Sequence, residues 1–289
     1  MLILIFIGAW GSVVYYSKAA LGDTNAATLA PAPTIVSTPT ERSIPTPAPN
    51  LLATTDAIPD PNWSQLEPGL ERRVIQVYDD KNQHVESLYV WRLDQNYFRL
   101  DVAFDGRPKT LETWQKETNA ALVVNGAYFS IENERYFPDG LMIARGKASG
   151  RSFYGYGGML AIDPSGAELR WLVQEPYNSL EPLQAALQAF PMLVKPGGAL
   201  GFPAARENYA RARRTVIAQD NDGRILIIVA PQGYFTLHQI SAYLTESDLN
   251  LDIALNLDGG GSTGILVANP REVIASKVLL PFVILVYPR

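Results

Sequence analysis

From about Glu67 to the C-terminus, short runs of β-branched and aromatic residues alternate with clusters of turn-forming residues, the pattern of strands joined by tight loops. It predicts strands over Arg72–Tyr78, Ser87–Leu93, Tyr97–Phe104, Ala120–Val124, Gly158–Asp163, Glu168–Val173, Thr215–Ala218, Arg224–Ala230, Ile253–Leu257, Gly264–Ala268 and Phe282–Tyr287. Pro164-Ser165-Gly166 and Asp220-Asn221-Asp222-Gly223 read as hairpin turns between neighbouring strands. Helical spacing is rarer. Thr110–Thr118 opens on a residue suited to N-capping. Ser179–Phe190 sets Leu180, Leu183, Leu187 and Phe190 on one stripe, and Thr236–Ser247 does so with Leu237, Ile240 and Leu244. The expected fold class is α+β: one globular domain over 67–289, a mixed, largely antiparallel sheet packed with a few helices.

The first 66 residues follow other rules. Met1–Tyr16 carries no charged side chain and is slightly short of the roughly 20 apolar residues that span a bilayer. It fits a signal peptide or a short membrane anchor over residues 1–22. Residues 23–66 are rich in Pro, Thr and Ala, with Pro31, Pro33, Pro39, Pro45, Pro47 and Pro49 closely spaced. Such a segment cannot bury enough apolar surface to offset its ordering entropy, so a disordered, extended linker is expected. Anchor plus spacer implies a domain that works outside the cytoplasm, membrane-anchored or secreted, in the periplasm or cell envelope, with the N-terminal segment contacting the membrane.

Composition narrows the chemistry. An apolar content of 47% supports a sizeable core, and a net charge of −5 with no basic run interleaved with aromatics argues against a nucleic-acid partner. The absence of Cys excludes thiolate nucleophiles and Cys-ligated zinc. Only His84 and His238 are available to a hydrolytic triad or a His-rich metal site; both read as ordinary histidines, and no GxSxG occurs.

Three segments place small and polar residues where apolar strands end, a common position for sites. In Ala254–Thr263, ALNLDGGGST, a strand delivers Asn256 and Asp258 to its end, and Gly259, Gly260 and Gly261 are followed by Ser262 and Thr263. Consecutive glycines let backbone approach a ligand, and their N–H groups can converge on an anion. The blander reading is a Gly-rich hairpin loop, and the pattern is not a P-loop, since no Lys follows the glycines. In Ala121–Ser130, a strand ends at Asn125 and Gly126, with Tyr128 and Phe129 as a candidate stacking wall; an Asn-Gly turn with core aromatics is the alternative. In Tyr209–Thr215, Arg211, Arg213 and Arg214 precede a strand, and Arg214 abuts it; guanidinium binds phosphate bidentately, whereas a solvated basic surface is the alternative.

Taken in order, NGAYF at 125–129, PMLV at 191–194, RRTVIAQDNDGRILIIV from Arg213 and ALNLDGGGST resemble the phosphodiester glycosidase domain family over roughly residues 70–289. The family pattern NGGFF is met as Asn125-Gly126-Ala127-Tyr128-Phe129, with Ala127 replacing the second Gly. The resemblance implies hydrolysis of a glycosidic bond to a phosphodiester, releasing a sugar, on an envelope or exopolysaccharide glycan. It implies Asp258 as the main carboxylate, acting as base, nucleophile or cation stabiliser. The Gly259–Gly261 amides and Ser262 would bind phosphate or a sugar hydroxyl, Arg214 would pair with phosphate, and Asn125 would orient substrate or Asp258. A conventional glycosidase uses a second carboxylate, and Asp139 is the candidate. No cofactor is implied; a divalent cation beside Asp258 has no ligand spacing to support it. The competing readings are a non-catalytic carbohydrate- or envelope-binding module, a P–O-cleaving phosphodiesterase, and a structural envelope protein.

Overall fold

A computed structural model describes residues 62–289; the expected apolar anchor and the linker as far as residue 61 lie outside the described residues. The first strands are β1 (Ser64–Glu67), β2 (Leu70–Tyr78), β3 (His84–Leu93) and β4 (Phe98–Lys109), then helix α1 (Leu111–Thr118) and β5 (Leu122–Asn125). Short strands follow: β6 (Phe129–Glu132), β7 (Arg135–Pro138), β8 (Met142–Ala144), β9 (Lys147–Ser149), β10 (Gly158–Ile162), β11 (Ala167–Trp171), β12 (Ala185–Ala189), β13 (Met192–Lys195) and β14 (Ala199–Leu200). The last third holds β15 (Arg214–Asp220), β16 (Ile225–Ala230), α2 (Leu237–Glu246), β17 (Leu251–Asn256), β18 (Ile265–Val267), β19 (Glu272–Ile274) and β20 (Leu280–Pro288).

Among the described residues the fold is mostly β, with 47% strand and 9% helix, and the expected α+β class is corrected accordingly. An eight-stranded sheet runs β1-β2-β3-β16-β15-β17-β13-β14, and two five-stranded sheets run β11-β10-β12-β8-β9 and β19-β18-β5-β20-β4. One core lies among the three, where Trp91, Leu93, Val124, Leu160, Leu187, Ile227, Leu255 and Ile284 pack together. The alternate residues of β16, Leu226 and Ile228, face outward into a second cluster under Ile240 and Leu244 of α2. Leu111 and Trp114 of α1 cover Val123, Val283 and Leu285 on the outer face of the β5–β20 sheet. The two helices are thus lids on strands buried from both sides, which explains why those strands read as continuous apolar runs. Both helices start where expected: Thr110 accepts from the Thr113 N–H, and Thr236 with Gln239 forms a capping box.

The helix expected over Ser179–Phe190 is absent. Ala185–Ala189 is instead the strand β12, paired with β10 from Gly158↔Ala189 to Ile162↔Ala185. The stripe of four apolar residues never becomes a buried face, because Leu180 is 87% exposed. A strand buried on both faces secures Leu187, worth about 1.5–3 kcal/mol, together with a full ladder of backbone bonds. The linker boundary also moves. Trp63 is buried under the Arg92 guanidinium, 3.9 Å from the ring centroid, and β1 begins at Ser64, inside the expected 23–66 linker.

Candidate active site

Two sheets end at one place. β5 of one five-stranded sheet stops at Asn125, and β17 of the eight-stranded sheet stops at Asn256. Asn125 joins them. Its Nδ2 donates to the Asp258 carbonyl at 2.7 Å and to the Gly126 carbonyl at 3.3 Å. Its Oδ1 accepts from the Thr215 hydroxyl at 2.8 Å and the Gly264 N–H at 3.1 Å. The side chain is buried with both polar atoms twice engaged, which uses its hydrogen-bonding capacity. Asn125 therefore positions the backbone that carries Asp258. Beside it, Gly126 is required by close approach: a Cβ there would meet the Phe282 ring at 2.9 Å.

Asp258 follows β17 on the Gly-rich loop, partly exposed. Its carboxyl is pushed up from 3.8 to about 6, chiefly by loss of water. Hydrogen bonds from the Ser262 hydroxyl and the Gly259 N–H oppose the rise, and the nearby charge of Asp139 adds to it. Asp139, exposed after β7, is held by its N–H donating to the Tyr128 carbonyl at 3.0 Å. The structure thus brings Asp139 within electrostatic reach of Asp258.

The glycines serve mainly to let this loop fold. The Gly259 N–H is given to Asp258 and the Gly260 N–H to the Arg213 carbonyl at 2.8 Å, so two of the three amides expected to cradle phosphate are committed within the protein. A Cβ on Gly259 would lie 2.7 Å from the Arg213 oxygen, and Gly260 has φ +57°. From the other side the Lys277 N–H donates to the Gly261 carbonyl at 2.7 Å.

The arginine cluster separates into three roles. Arg211 lies over the Tyr234 ring at 4.4 Å, and Arg213 donates through Nη2 to the Ala275 carbonyl. Arg214 turns inward and is buried; it donates to the carbonyls of Phe235 at 3.3 Å and Ala210 at 2.8 Å. Burial lowers its pKa, while Tyr128 and Glu207 support the charge. No carboxylate forms an ion pair with Arg214 among the described residues. Tyr128 sits between the halves of the site: close to Arg214, its hydroxyl accepting from Asn256 Nδ2 at 2.5 Å. Its ring stacks on Phe190 at 4.7 Å, whereas Phe129 packs on Tyr136 at 5.7 Å; the two do not form one wall. Among the described residues, Asn256 Oδ1, Thr263 Oγ1 and Arg213 Nη1 are buried without a hydrogen-bond partner, and all three belong to the strand ends and loop that frame Asp258.

Residues that sequence reasoning passed over brace this frame. Thr215 anchors Asn125. Glu86, fully buried in β3, accepts four N–H groups, from Ser87, Gln232, Gly233 and Tyr234. Glu86 lies one residue before the strand expected from Ser87 and enters it only because β3 begins at His84; nothing in the sequence marked Thr215. Both histidines have local partners, His84 with Ser87 and His238 with the Phe202 carbonyl. Among the described residues no three His, Asp or Glu side chains gather to hold a metal ion. A cavity of about 440 Å³ lies elsewhere, lined in part by Arg99, Arg145 and Arg289. It is near the end of the β4–β20 pair remote from Asn125, so its size says nothing about this chemistry.

The phosphodiester glycosidase family matches residues 118–286, a span that contains Asn125, Asp139, Arg214 and Asp258. No curated protein matches the chain. Among solved structures, the catalytic domain of zebrafish N-acetylglucosamine-1-phosphodiester alpha-N-acetylglucosaminidase, auto-inhibited by its pro-peptide, superposes with a TM-score of 0.61. It is 18% identical, over 77% of this chain and 85% of that one. A Synechocystis protein gives 0.54 at 14% identity, over 77% and 62%. A Burkholderia pseudomallei protein described as exported gives 0.52 at 13%, over 70% and 74%. At these identities the likeness is one of fold.

Proposed function

The chain belongs to the phosphodiester glycosidase family, and from that premise we propose that it hydrolyses a sugar-1-phosphodiester at the anomeric C–O bond. Water adds to the anomeric carbon, that bond breaks, and a free sugar and a phosphomonoester leave. The leaving group departs as a stable anion, so little acid assistance is needed. The demanding steps are stabilising positive charge on the sugar ring and delivering water.

The observation that carries this reading is Asp258, a carboxyl of pKa about 6 at a strand end, facing a second carboxylate, Asp139. Near neutral pH Asp258 is largely ionised and can stabilise the oxocarbenium-like centre, attack it or take a proton from water. Asp139 supplies the complementary acid–base function. Arg214, a buried cation without an ion pair among the described residues, is suited to the phosphate, because a buried charge gains most from a counter-ion. Tyr128, between Arg214 and Asn256, lies against the sugar or its phosphate. The apolar N-terminus and Pro/Thr-rich spacer support placing the reaction outside the cytoplasm, on an envelope or exopolysaccharide glycan.

The test is turnover of UDP-sugars and aryl or methyl sugar-1-phosphodiesters in ¹⁸O-water, with products identified by mass spectrometry. Free sugar plus a phosphomonoester without label is expected. Label in the phosphate would mean P–O cleavage. Saturable glycan binding by folded protein with no turnover would mean a binding module.

A further inference from the structure

Outward from Tyr128 runs a continuous line of aromatic rings, of which Phe190, Phe153 and Tyr156 take no part in the proposed reaction. Tyr128 stacks on Phe190, and the Phe190 carbonyl accepts from Asn256 Nδ2 at 3.3 Å, so the line starts at the strand end that carries Asp258. Phe190 meets Phe153 edge-on at 5.5 Å and Tyr156 edge-on at 6.0 Å, and Tyr156 stacks on Phe153 at 4.9 Å. There the line reaches solvent: Tyr156 is 51% exposed and its loop neighbour Tyr154 is 77% exposed.

The loop that presents these tyrosines is fixed at both ends. The Phe153 N–H donates to the buried Gln188 Oε1 at 2.7 Å, and Gln188 Nε2 donates to the Ser152 hydroxyl at 2.9 Å. Gly157 has φ +77°, and a Cβ there would lie 2.7 Å from the Ala189 carbonyl oxygen. Large aromatic side chains held in water are a surface waiting for a partner, and a ring immobilised from behind loses little entropy when something covers its outer face. The apolar C–H face of a pyranose fits such a ring.

We propose that Tyr156, with Tyr154, is a stacking subsite for a further sugar ring, so that the substrate is a phosphodiester within or attached to a glycan chain rather than a nucleotide sugar. The proposal rests on the reading above only for what the neighbouring site does with that chain. The test uses the full-length protein and its Tyr154→Ala/Tyr156→Ala and Tyr156→Phe variants, each first shown to melt like the parent. Binding of chitohexaose, maltohexaose, cellohexaose and UMP is followed by saturation-transfer NMR. Hydrolysis of methyl and oligosaccharide-linked sugar-1-phosphodiesters is measured in parallel. At least one hexaose is expected to bind the parent, with affinity falling about tenfold in the double-alanine variant and surviving in Tyr156→Phe, since stacking does not use the hydroxyl. The corresponding kcat/KM on the oligosaccharide-linked diester should fall by about tenfold and that on the methyl diester by no more than about twofold. Glycan binding through the tyrosines without hydrolysis of any diester would sustain the subsite and overturn the proposed reaction. No hexaose binding, binding indifferent to the double substitution, or saturation of the UMP base protons instead would overturn the subsite.

Discussion

Glu86 and Asp258 are carboxylates in two adjoining regions, and the protein treats them in opposite ways. Glu86 is fully buried, yet each of its oxygens accepts two backbone N–H groups, and the Arg213 guanidinium adds a favourable field. Four donors replace the lost water, so the charge becomes a clamp on the 231–234 turn. Asp258 keeps some exposure, is supported by the Ser262 hydroxyl and the Gly259 N–H, feels the charge of Asp139, and rises to a pKa of about 6, chiefly through loss of water. A fully bonded carboxylate builds the fold, whereas an under-supported one beside a like charge is ready for proton transfer. The regions are mechanically linked. Gly233 of the clamped turn packs against Arg213, where a Cβ would lie 3.3 Å from the Arg213 nitrogen, and the Arg213 carbonyl in turn holds Gly260.

Breaking each side should give different losses. Asp258→Asn is expected to reduce hydrolysis by about a thousandfold or more with folding intact; substantial turnover by the folded variant would remove Asp258 from the chemistry. Glu86→Ala leaves four N–H groups in a buried place without an acceptor, and should lower unfolding free energy by about 3–5 kcal/mol, measured by urea titration. A loss under about 1 kcal/mol would show that the clamp is not what holds the turn. Gly259→Ala tests the linkage between them, because its Cβ meets the Arg213 oxygen. A stability loss of about 1–3 kcal/mol and a fall in kcat of about a hundredfold are expected, with KM changing less.

The smallest effect concerns pH. The fold raises the Asp258 pKa above its ordinary value of 3.8, so the native state favours the neutral carboxyl. The resulting penalty is absent below 3.8, grows as pH rises through the interval up to about 6 and is complete above it. Relative to the wild type, Asp258→Asn should therefore gain on the order of 1–2 kcal/mol across that window, allowing for partial solvent screening. In the wild type, kcat/KM should rise with pH and level off above about 6, as the carboxylate forms. A flat stability difference between pH 4 and 7 would dissolve the contrast with Glu86.

Much of this was legible because it is local chemistry. Hairpins at 164–166 and 220–223, the cap at Thr110, and the strand ends at Asn125 and Asn256 all depend on a few adjacent residues. The failures share one cause. Residues 179–190 carry a helical stripe, but Ala185–Ala189 is claimed by β10 on one side and β8 on the other, and pairing between distant segments outweighs local periodicity. The α+β expectation fell for the same reason, because short strands such as β7 and β19 have no pattern apart from their partners. Tyr128 and Phe129 are adjacent in sequence, yet Tyr128 lies in the loop after β5 and stacks on Phe190, whereas Phe129 opens β6 and packs on Tyr136.

The sequence by itself determined that a Gly-rich loop carrying Asp258 would follow an apolar strand, that Asn125 would end another, and that arginines would precede a third. Those are properties of short segments, set by side-chain type and backbone freedom. Only the tertiary structure decided that Asn125 spends its hydrogen bonds on the protein, that Arg214 is buried without an ion pair among the described residues, and that Asp139 stands close enough to shift Asp258. Desolvation and Coulomb interactions depend on distance in space, and segments more than a hundred residues apart acquire those distances only when the sheets close around one core.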